Sequence, residues 1–482
     1  MSVSTIFTIS LYIANMIFAA AIIFVSRKKP SAVWAWLFVL FFLPIVGFII
    51  YILLGRNLRK KNFVRWQAVH QKNYDEKFGE QQEAILNKTF RYPNKQSQKH
   101  EQLIHMNVVT NHAYYGEKNE IVLLDTGNAK FDTLVEDILQ AKKYVHIQYY
   151  IYKMDDLGQR IYHALVEKAK EGLEVKLIYD DLGSRKLKKK HFKELTDHGG
   201  QVQAYFPSLF KLLNPRVNYR NHRKLAIIDG STGYIGGFNV GNEYLGLDKK
   251  FNYWRDTHLK VVGTAVHSMQ AHFLFDWEQA AGEPPRRQIE HYYPAIETTG
   301  TTPIQVVSSG PDTDHESIKK SYLRMIMSAK KYVYIQSPYF IPDEPFLEAV
   351  EIAAASGVDV RVMTPAKPDH MFVYGGNSAY GGDVLEAGGR VFRYSKGFIH
   401  AKMLLIDDEI VSIGTANIDV RSFSLNFEIT ALIFEEEFTK KCRALFEHDQ
   451  EDSFEITEEI YENRPIWTKI REAFSRLISP IL

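Results

Sequence analysis

The chain has 482 residues, more than one ordinary hydrophobic core accommodates, so we expect two or three domains. Its 59 basic and 57 acidic residues nearly cancel, and the net charge therefore gives no indication of a nucleic-acid partner. The single cysteine, Cys442, excludes an internal disulfide framework and any cysteine-based metal cluster.

Two long apolar runs dominate the N-terminal part of the chain. Residues 3–25 carry no charged side chain, and a helix that rises about 1.5 Å per residue crosses a hydrocarbon core of roughly 30 Å at this length. Residues 32–54 form a second uncharged run. We predict a membrane anchor at residues 1–55 with two transmembrane segments, about 3–25 and 32–54. A cleaved signal peptide is the alternative, but it has one shorter apolar run behind a basic leader.

The basic residues around these runs predict the orientation of the chain. Three basic residues lie in the loop between the runs, whereas six lie between Arg56 and Lys72. The positive-inside rule therefore predicts that the catalytic domains lie on the cytoplasmic side of the cell membrane. Residues 56–106 are polar, and we predict a linker or peripheral helices there.

From residue 120 onward, apolar strand-like runs alternate with amphipathic helical runs, which is the α/β pattern. Three segments recur here in the same order and at a nearly constant separation. The paired segments are Ala141–Gln148 and Ala329–Gln336, Gly172–Tyr179 and Gly357–Thr364, and Gly199–Val202 and Gly388–Val391. The glycines that open the second pair are expected to stop helices. We predict two tandem homologous α/β sandwich domains with pseudo-two-fold symmetry, at residues 107–290 and 291–482.

Each half then reaches the same cluster of polar residues, in the pattern H-x-K-x-x-x-x-D followed by G-x-x-N. The cluster comprises His222, Lys224, Asp229, Gly237 and Asn239 in the first half, and His400, Lys402, Asp407, Thr415 and Asn417 in the second. Apolar and β-branched residues between lysine and aspartate predict a strand. Its period of two puts histidine and lysine on one face and aspartate on the other. The histidines and lysines are thus the candidates for chemistry, and the aspartates for a structural role.

Two such histidine–lysine pairs suit the chemistry of a phosphodiester. Two ammonium groups and the amides of Asn239 and Asn417 hold the phosphoryl oxygens without a metal, and we count Gly237 and Thr415 with these substrate-binding residues. One imidazole attacks phosphorus, and the other donates a proton to the departing alkoxide.

Each imidazole also needs a carboxylate to fix its tautomer, and Asp256 and Glu428 are the candidates. The chain shows no His/Asp/Glu cluster with the spacing of metal ligands, so we expect neither metal nor cofactor.

At these residues the chain resembles the phospholipase D superfamily and, within it, the bacterial cardiolipin synthases. The resemblance extends to Tyr51–Gly55, Trp254–His258, Ser337–Pro342 and Asn426–Glu428. One motif copy alone is a weak signal, but two copies at matching points of a repeat are specific. The chain departs from the family at Asn242, where an aspartate is frequent, and at Thr415, where serine is commoner.

This resemblance implies a phospholipase D-like fold and a reaction. Two phosphatidylglycerol molecules give cardiolipin and glycerol through a phosphatidyl-histidine intermediate, without metal or nucleotide. The resemblance makes His222 the nucleophile and His400 the acid. It also counts both lysines, Asp229 and Asp407 with the catalytic set.

Three further segments bear on a lipid substrate. Residues 206–216 are an apolar and basic insertion that the second half lacks, and they either cap the core or dip into the membrane. A basic run lies between Arg185 and Lys193, as a solvated face or as an attraction to anionic lipid. Residues 466–482 have helical apolar spacing with a basic opposite face, and we favour contact with the membrane surface over docking on the core.

Three functions remain open from the sequence. Phosphatidyl transfer is the main interpretation, with phosphatidylglycerol, cardiolipin and an anionic lipid surface as partners and no nucleic acid. Hydrolysis of a phosphodiester, by phospholipase or nuclease action, is the second, because water and an alcohol compete for the same intermediate. A non-catalytic lipid-binding or scaffold protein is the third, but such a protein is expected to have lost a histidine or lysine.

Overall fold

The computed structural model describes residues 30–43, 70–207, 219–282, 289–313 and 315–479, with a few single positions before residue 52. The chain forms two compact units. One comprises Met1–Asn62 and Ser208–Tyr219, and the other Phe63–Pro207 and Arg220–Leu482.

In the first unit, the described part is chiefly one apolar helix, α1, at Pro30–Phe42. Leu40 of this helix is buried with Tyr51, whose ring meets the edge of Trp36 at 5.0 Å. Most of the run at 3–25, part of the run at 32–54 and the core of the 206–216 insertion lie outside the described residues. Within the described ranges, no helix is both long enough and apolar enough to cross a membrane.

The second unit alternates strands and helices along the chain. Its described α-helices are α2 His70–Leu86, α3 Lys95–Lys99, α4 Glu101–Asn111, α5 Gly127–Gln140, α6 Asp156–Lys170, α7 Lys193–Asp197, α8 Val266–Ala281, α9 Ile289–Tyr292, α10 Ser317–Ser328, α11 Glu344–Ala355, α12 Met371–Glu386, α13 Val420–Ser424, α14 Glu436–Glu451, α15 Glu458–Glu462 and α16 Ile466–Ile478.

The strands of the second unit are likewise numbered in chain order. They are β1 Tyr115–Gly116, β2 Asn119–Leu124, β3 Tyr144–Tyr149, β4 Glu174–Asp180, β5 Gln201–Tyr205, β6 Arg220–Asn221, β7 Leu225–Ile228, β8 Thr232–Gly236, β9 Trp254–Arg255, β10 His258–Gly263, β11 Ile304–Ser309, β12 Tyr332–Gln336, β13 Phe340–Ile341, β14 Asp359–Pro365, β15 Arg390–Tyr394, β16 Phe398–Ile399, β17 Met403–Ile406, β18 Ile410–Gly414, β19 Ile418–Asp419, β20 Asn426–Ile433 and β21 Ser453–Ile456.

Two large sheets have the same strand order. The first half of the chain forms β2-β10-β8-β7-β3-β4-β5, and the second half forms β11-β20-β18-β17-β12-β14-β15, extended by β1 at one end and β21 at the other. The strands β3, β4 and β5 of the first sheet are parallel, as are their equivalents β12, β14 and β15 in the second. The other neighbouring strands in these two orders are antiparallel. The repeat seen in the sequence is therefore present as two sheets of matching topology.

Each sheet has helices on both faces, as the side chains of its central strand show. In β3, Val145 and Ile147 face the apolar core that α5 and α6 complete, whereas His146 stacks on Phe273 of α8 with ring centroids 4.5 Å apart. In β12, alternate residues face α10 and α11, and Tyr334 stacks on α14. This α/β/α layering follows from the strand period of two.

Equivalent turns carry equivalent glycines. Gly172 and Gly357 both have φ of 86°, and Gly199 and Gly388 have φ of 88° and 89°. Each glycine ends a helix in the left-handed region that L side chains avoid, which confirms the predicted helix stops.

The segment before the first sheet contributes to a core, whereas the sequence predicted a polar linker or peripheral helices. Ile85 of α2 and Leu103 and Ile104 of α4 are buried in the core of the second half, and β1 pairs with β11. The average polarity of this segment conceals a few apolar residues at helical spacing. Residues of α4 and β1 thus pack with the second sheet, although the sequence placed residue 107 onward in the first domain.

The two motif aspartates support the turn that leads into the central strand. Asp229 accepts the backbone N–H groups of Lys142–Tyr144 at 2.7–3.0 Å, and Asp407 accepts those of Lys330–Tyr332 over the same distances. Both aspartates have a positive φ, 53° and 55°, which aspartate tolerates better than most residues. The family resemblance counts both aspartates with the catalytic residues, but in the structure their carboxylates accept hydrogen bonds from backbone amides.

Replacing Asp407 by alanine is expected to destabilise the second half by roughly 2–4 kcal/mol, because three backbone amides lose a charged acceptor. Asp407→Asn keeps one oxygen and the tolerance of positive φ, so it should cost less. The thermal unfolding midpoint measures both changes, with the exposed Asp197→Ala as the control. An unchanged midpoint for Asp407→Ala would contradict the structural role.

Candidate active site

Two short strand pairs join the halves next to the motif histidines. In the first, β6 pairs in parallel with the start of β20, and Asn221 lies opposite Phe427. In the second, β16 pairs in parallel with β9, and Ile399 lies opposite Arg255. The histidine that follows each pair extends it, since the His222 N–H donates to the Phe427 carbonyl at 2.9 Å and the His400 N–H to the Arg255 carbonyl at 2.7 Å.

This register brings each histidine against a carboxylate of the other half. His222 Nδ1 lies 2.9 Å and 3.0 Å from the two carboxylate oxygens of Glu428, and His400 Nδ1 lies 2.6 Å from Oδ2 of Asp256. Both carboxylates are fully buried, whereas each histidine side chain keeps 12% of its surface exposed. With Nδ1 held, Nε2 is the ring nitrogen left for a substrate.

Burial sets the protonation of the two imidazoles. It lowers the pKa of His222 and brings the pKa of His400 to about 4, although the adjacent carboxylates favour the charged rings. Both rings are therefore neutral near pH 7. Burial opposes ionisation of Glu428, but His222 and Lys224 outweigh it and hold the pKa of this carboxyl below its usual range.

Each motif lysine lies close to the histidine two residues before it, in the short segment between two strands. Lys224 Nζ donates to the carbonyl of His222 at 2.6 Å, and Lys402 Nζ donates to the carbonyl of His400 at 2.5 Å. Both side chains are buried, and burial lowers the pKa of Lys224 to about 7 and that of Lys402 to about 8. Near neutral pH, therefore, part of each lysine population is the neutral amine instead of the charged ammonium.

Gly237 and Thr415 lie behind the carboxylates, not on the substrate side where the sequence analysis grouped them. A Cβ at Gly237 would come within 1.9 Å of Oδ1 of Asp256, so only glycine leaves room for that side chain. At the equivalent position, the Thr415 hydroxyl donates to Glu428 at 2.5 Å. Both residues therefore position the groups that orient the histidines.

The two motif asparagines line the same cavity as the histidines. The Asn239 amide donates to the Tyr244 hydroxyl at 3.0 Å and its oxygen accepts the Ile151 N–H at 3.1 Å. The side-chain oxygen of Asn417 is buried and has no hydrogen-bond partner among the described residues. Asn417 is thus the more available of the two for a ligand.

The cavity has a volume of about 530 Å³ and is shared by His222 and His400. An aromatic ring packs on each imidazole: Tyr150 lies 4.9 Å from His222, and Trp254 lies 5.3 Å from His400, between ring centroids. Within the described parts of the chain, no group of three His, Cys, Asp or Glu residues is arranged to hold a metal ion.

A buried network behind the site involves residues that were not among the predicted site residues. Asp276 of α8 accepts two bonds from Arg223 at 2.8 and 2.9 Å and one from Gln148 at 2.6 Å. In the second half, Asp449 of α14 pairs with Arg255 at 2.8 Å and accepts from Gln336 at 2.8 Å.

The sequence held a signal for this network. Both glutamines fall at the same point of the repeat, and both aspartates stand in a D-x-E pattern on a helix, α8 in the first half and α14 in the second.

The chain matches the family model described as cardiolipin synthase, PLD-like domain, over residues 134–277 and 322–450. A model described as phospholipase D-nuclease N-terminal matches residues 13–56. The chain is 48% identical over 482 residues to the major cardiolipin synthase ClsA of Bacillus subtilis (strain 168), covering 100% of both chains. It is 49% identical over 472 residues to a cardiolipin synthase of Listeria monocytogenes serotype 4b (strain CLIP80459), covering 98% of both.

A solved structure shares the fold. The phosphatidylserine synthase of Haemophilus influenzae Rd KW20 superposes with a TM-score of 0.57 at 15% identity, covering 79% of this chain and 100% of that one. The family model covers more than half of this chain, and the relatives match it along its length. The chain therefore belongs to the PLD-like cardiolipin synthases of the phospholipase D superfamily, as its paired motifs predicted.

Proposed function

We propose that the chain joins two phosphatidylglycerol molecules into cardiolipin and releases glycerol, the reaction implied by the names of its full-length relatives. The observation that carries this proposal is the pair of histidines on one cavity, each held at Nδ1 by a carboxylate of the other half. Such a pair supplies one nucleophile and one proton donor to a single phosphorus atom.

In the proposed reaction, His222 Nε2 attacks the phosphorus of the first lipid and forms a phosphatidyl-histidine. His400, protonated at Nε2 beside the bound anionic phosphodiester, gives its proton to the departing glycerol oxygen. His400 then takes the proton of a hydroxyl on the second phosphatidylglycerol, and that oxygen displaces His222 from phosphorus. The proton therefore returns to His400, and the enzyme ends as it began.

The buried ammonium groups stabilise the charge that develops on the phosphoryl oxygens. In a site shielded from water, two positive charges interact with a phosphodiester far more strongly than they would in solution. Asn417 lines the same cavity, and its amide N–H groups can add to these donors.

Purified enzyme on phosphatidylglycerol vesicles is expected to make cardiolipin and glycerol in equal amounts. His222→Ala and His400→Ala should each lower turnover by about 10³-fold or more, because each removes a reacting group. The exposed His163→Ala is the matched control and should retain turnover. Phosphatidic acid as the sole product would make the enzyme a hydrolase, and near-normal turnover of either variant would contradict the shared site.

The alkaline limb of the pH profile is a second test. The lysine charges are present below their pKa values of about 7 and 8 and are lost as the pH rises through them, so kcat/KM should fall over this range. The Glu428 carboxylate favours charged Lys224, so Glu428→Gln should move the limb to lower pH. Glu171→Gln, at an exposed glutamate that pairs with Lys168, should leave the limb in place. A limb that Glu428→Gln does not move would argue against the lysines as its source.

We also propose that the chain is a membrane protein, anchored by the N-terminal apolar runs and contacting lipid through α16. This helix buries Glu472 and Ser475 against the rest of the unit and turns its apolar residues outward, the reverse of a helix docked on a core. The exposed residues are Ile466, Trp467, Ile470, Phe474 and Leu477.

Polar contacts fix this outward orientation. Arg476 pairs with Asp383 of α12 at 2.9 Å, and Ser475 lies so close to Gly375 that a Cβ there would come within 2.4 Å of its hydroxyl. Phe474 also meets Phe372, an exposed residue that lines the catalytic cavity. The apolar face is therefore continuous with the cavity mouth, where a lipid must enter.

Glutamates at Trp467 and Phe474 together are expected to lower activity on vesicles at least tenfold by opposing contact with the lipid surface. Activity on dispersed short-chain phosphatidylglycerol should change little, and the protein should stay membrane-bound through its N-terminal runs. Leu139→Glu, at an exposed apolar position of α5, is the control. Equal losses on both substrates would show that α16 serves the fold alone.

A further inference from the structure

The two strand pairs beside the histidines have the same backbone pairing, but their side chains differ in chemical character. Two residues before the first histidine stands Arg220, and its register partner is Asn426. Two residues before the second histidine stands Phe398, and its register partner is Trp254. All four side chains line the cavity. The cavity therefore has a cationic and polar side at the first histidine and an aromatic side at the second.

A second guanidinium group belongs to the cationic side. Arg421 lines the cavity from α13, four residues after the motif asparagine, whereas the equivalent residue of the first half is Glu243. Burial raises the pKa of Tyr150 to about 12 and Asp180 adds to that rise, whereas Arg220 and Arg421 oppose it. The Tyr150 ring packs on His222, and both arginines line the same cavity as these two rings.

The carboxylates on this side are already engaged by backbone amides. Asp180 accepts three backbone N–H groups at 2.9–3.1 Å, and its ion pair with Arg220 is long, at 3.5 Å. Asp419 accepts the Ser422 N–H at 2.7 Å as the N-cap of α13, and burial raises the pKa of its carboxyl. A guanidinium group has five N–H donors, so a phosphate oxygen can accept from Arg220 and Arg421 beside the contacts that these side chains already make.

The cavity also offers two side-chain oxygens that can accept hydrogen bonds from a ligand. The side-chain oxygens of Asn417 and Asn426 are buried and, among the described residues, have no hydrogen-bond partner. Both asparagines line the cavity. A buried oxygen of this kind is satisfied when a ligand hydroxyl donates to it. Guanidinium donors beside amide acceptors match a group that combines an anionic phosphate with hydroxyls.

We propose that Arg220, Arg421 and Asn426 form a second phosphodiester subsite, which holds the phosphoglycerol of the lipid whose phosphorus does not react. The proposal rests on the proposed function, because that reaction brings two anionic phosphodiesters, one glycerol apart, into a single cavity. The histidines and lysines act on the first phosphodiester, and the subsite binds the second. The enzyme thereby selects an acceptor alcohol by the negative charge that the acceptor carries.

Two reactions measured on one preparation test the subsite. Cardiolipin formation needs the second phosphodiester, whereas exchange of labelled glycerol into phosphatidylglycerol uses the same phosphatidyl-enzyme with a neutral acceptor. Arg220→Gln and Arg421→Gln are each expected to lower the ratio of cardiolipin formation to glycerol exchange at least tenfold. Arg220→Lys keeps a positive charge and should restore part of the ratio. Lys153→Gln removes a cation that pairs with Glu243 and should leave the ratio unchanged.

The outcomes separate this proposal from the proposed function. If the unaltered enzyme forms neither cardiolipin nor labelled phosphatidylglycerol, the proposed function is wrong. If it forms both and the arginine variants keep the normal ratio, or lose both reactions equally, the subsite alone is wrong. Arg220 is buried, so thermal unfolding of its variants is measured first. Should Arg220→Gln fail to fold, the half-buried Arg421→Gln decides the question.

Discussion

The active site depends on two strand pairs of two residues each, through which the halves of the chain hydrogen-bond to one another. Because the strands are parallel and in register, the residue that follows on each strand faces its counterpart, and these residues are a histidine and a carboxylate. A slip of one residue would turn the carboxylate to the opposite side of its strand. The orientation of both imidazoles is thus a property of main-chain pairing between the halves, and neither half holds a complete site.

This arrangement concentrates buried charge, and the surrounding structure must compensate for it. An unpaired buried ion is strongly destabilising, so the ammonium groups of Lys224 and Lys402 require Glu428 and Asp256 nearby. The compensation is incomplete, since burial still lowers both lysine pKa values. A bound phosphodiester adds the missing negative charge. The site is therefore more stable electrostatically with its anionic substrate than without it, which favours substrate binding at some cost to the stability of the fold.

The sequence predicted the repeat, the family and the candidate histidines, lysines and orienting carboxylates, because each can be recognised from residue types and their spacing along the chain. It did not predict which carboxylate meets which histidine, since that pairing depends on strands from opposite halves. It grouped Thr415 with the substrate-binding residues of the motif, whereas its hydroxyl donates to Glu428 of β20, a contact that depends on the pairing of β18 with β20. The packing of α4 with the second sheet was missed because the surrounding residues are polar on average.

Duplication supplied a symmetric frame, but the two sides of the site are no longer interchangeable. Asp256 reaches His400 only because Gly237 leaves it room, whereas Glu428 is held by the hydroxyl of Thr415. A threonine at position 237 would collide with Asp256, so a single substitution cannot convert one side into the other. The same inequality extends to the cavity wall, where a cationic side faces an aromatic side. A symmetric site would bind two identical lipids in identical ways, but one of them must be cleaved and the other must attack. The backbone is equivalent on the two sides of the site, but the surrounding side chains differ. Two molecules of the same lipid can therefore take different roles in one reaction.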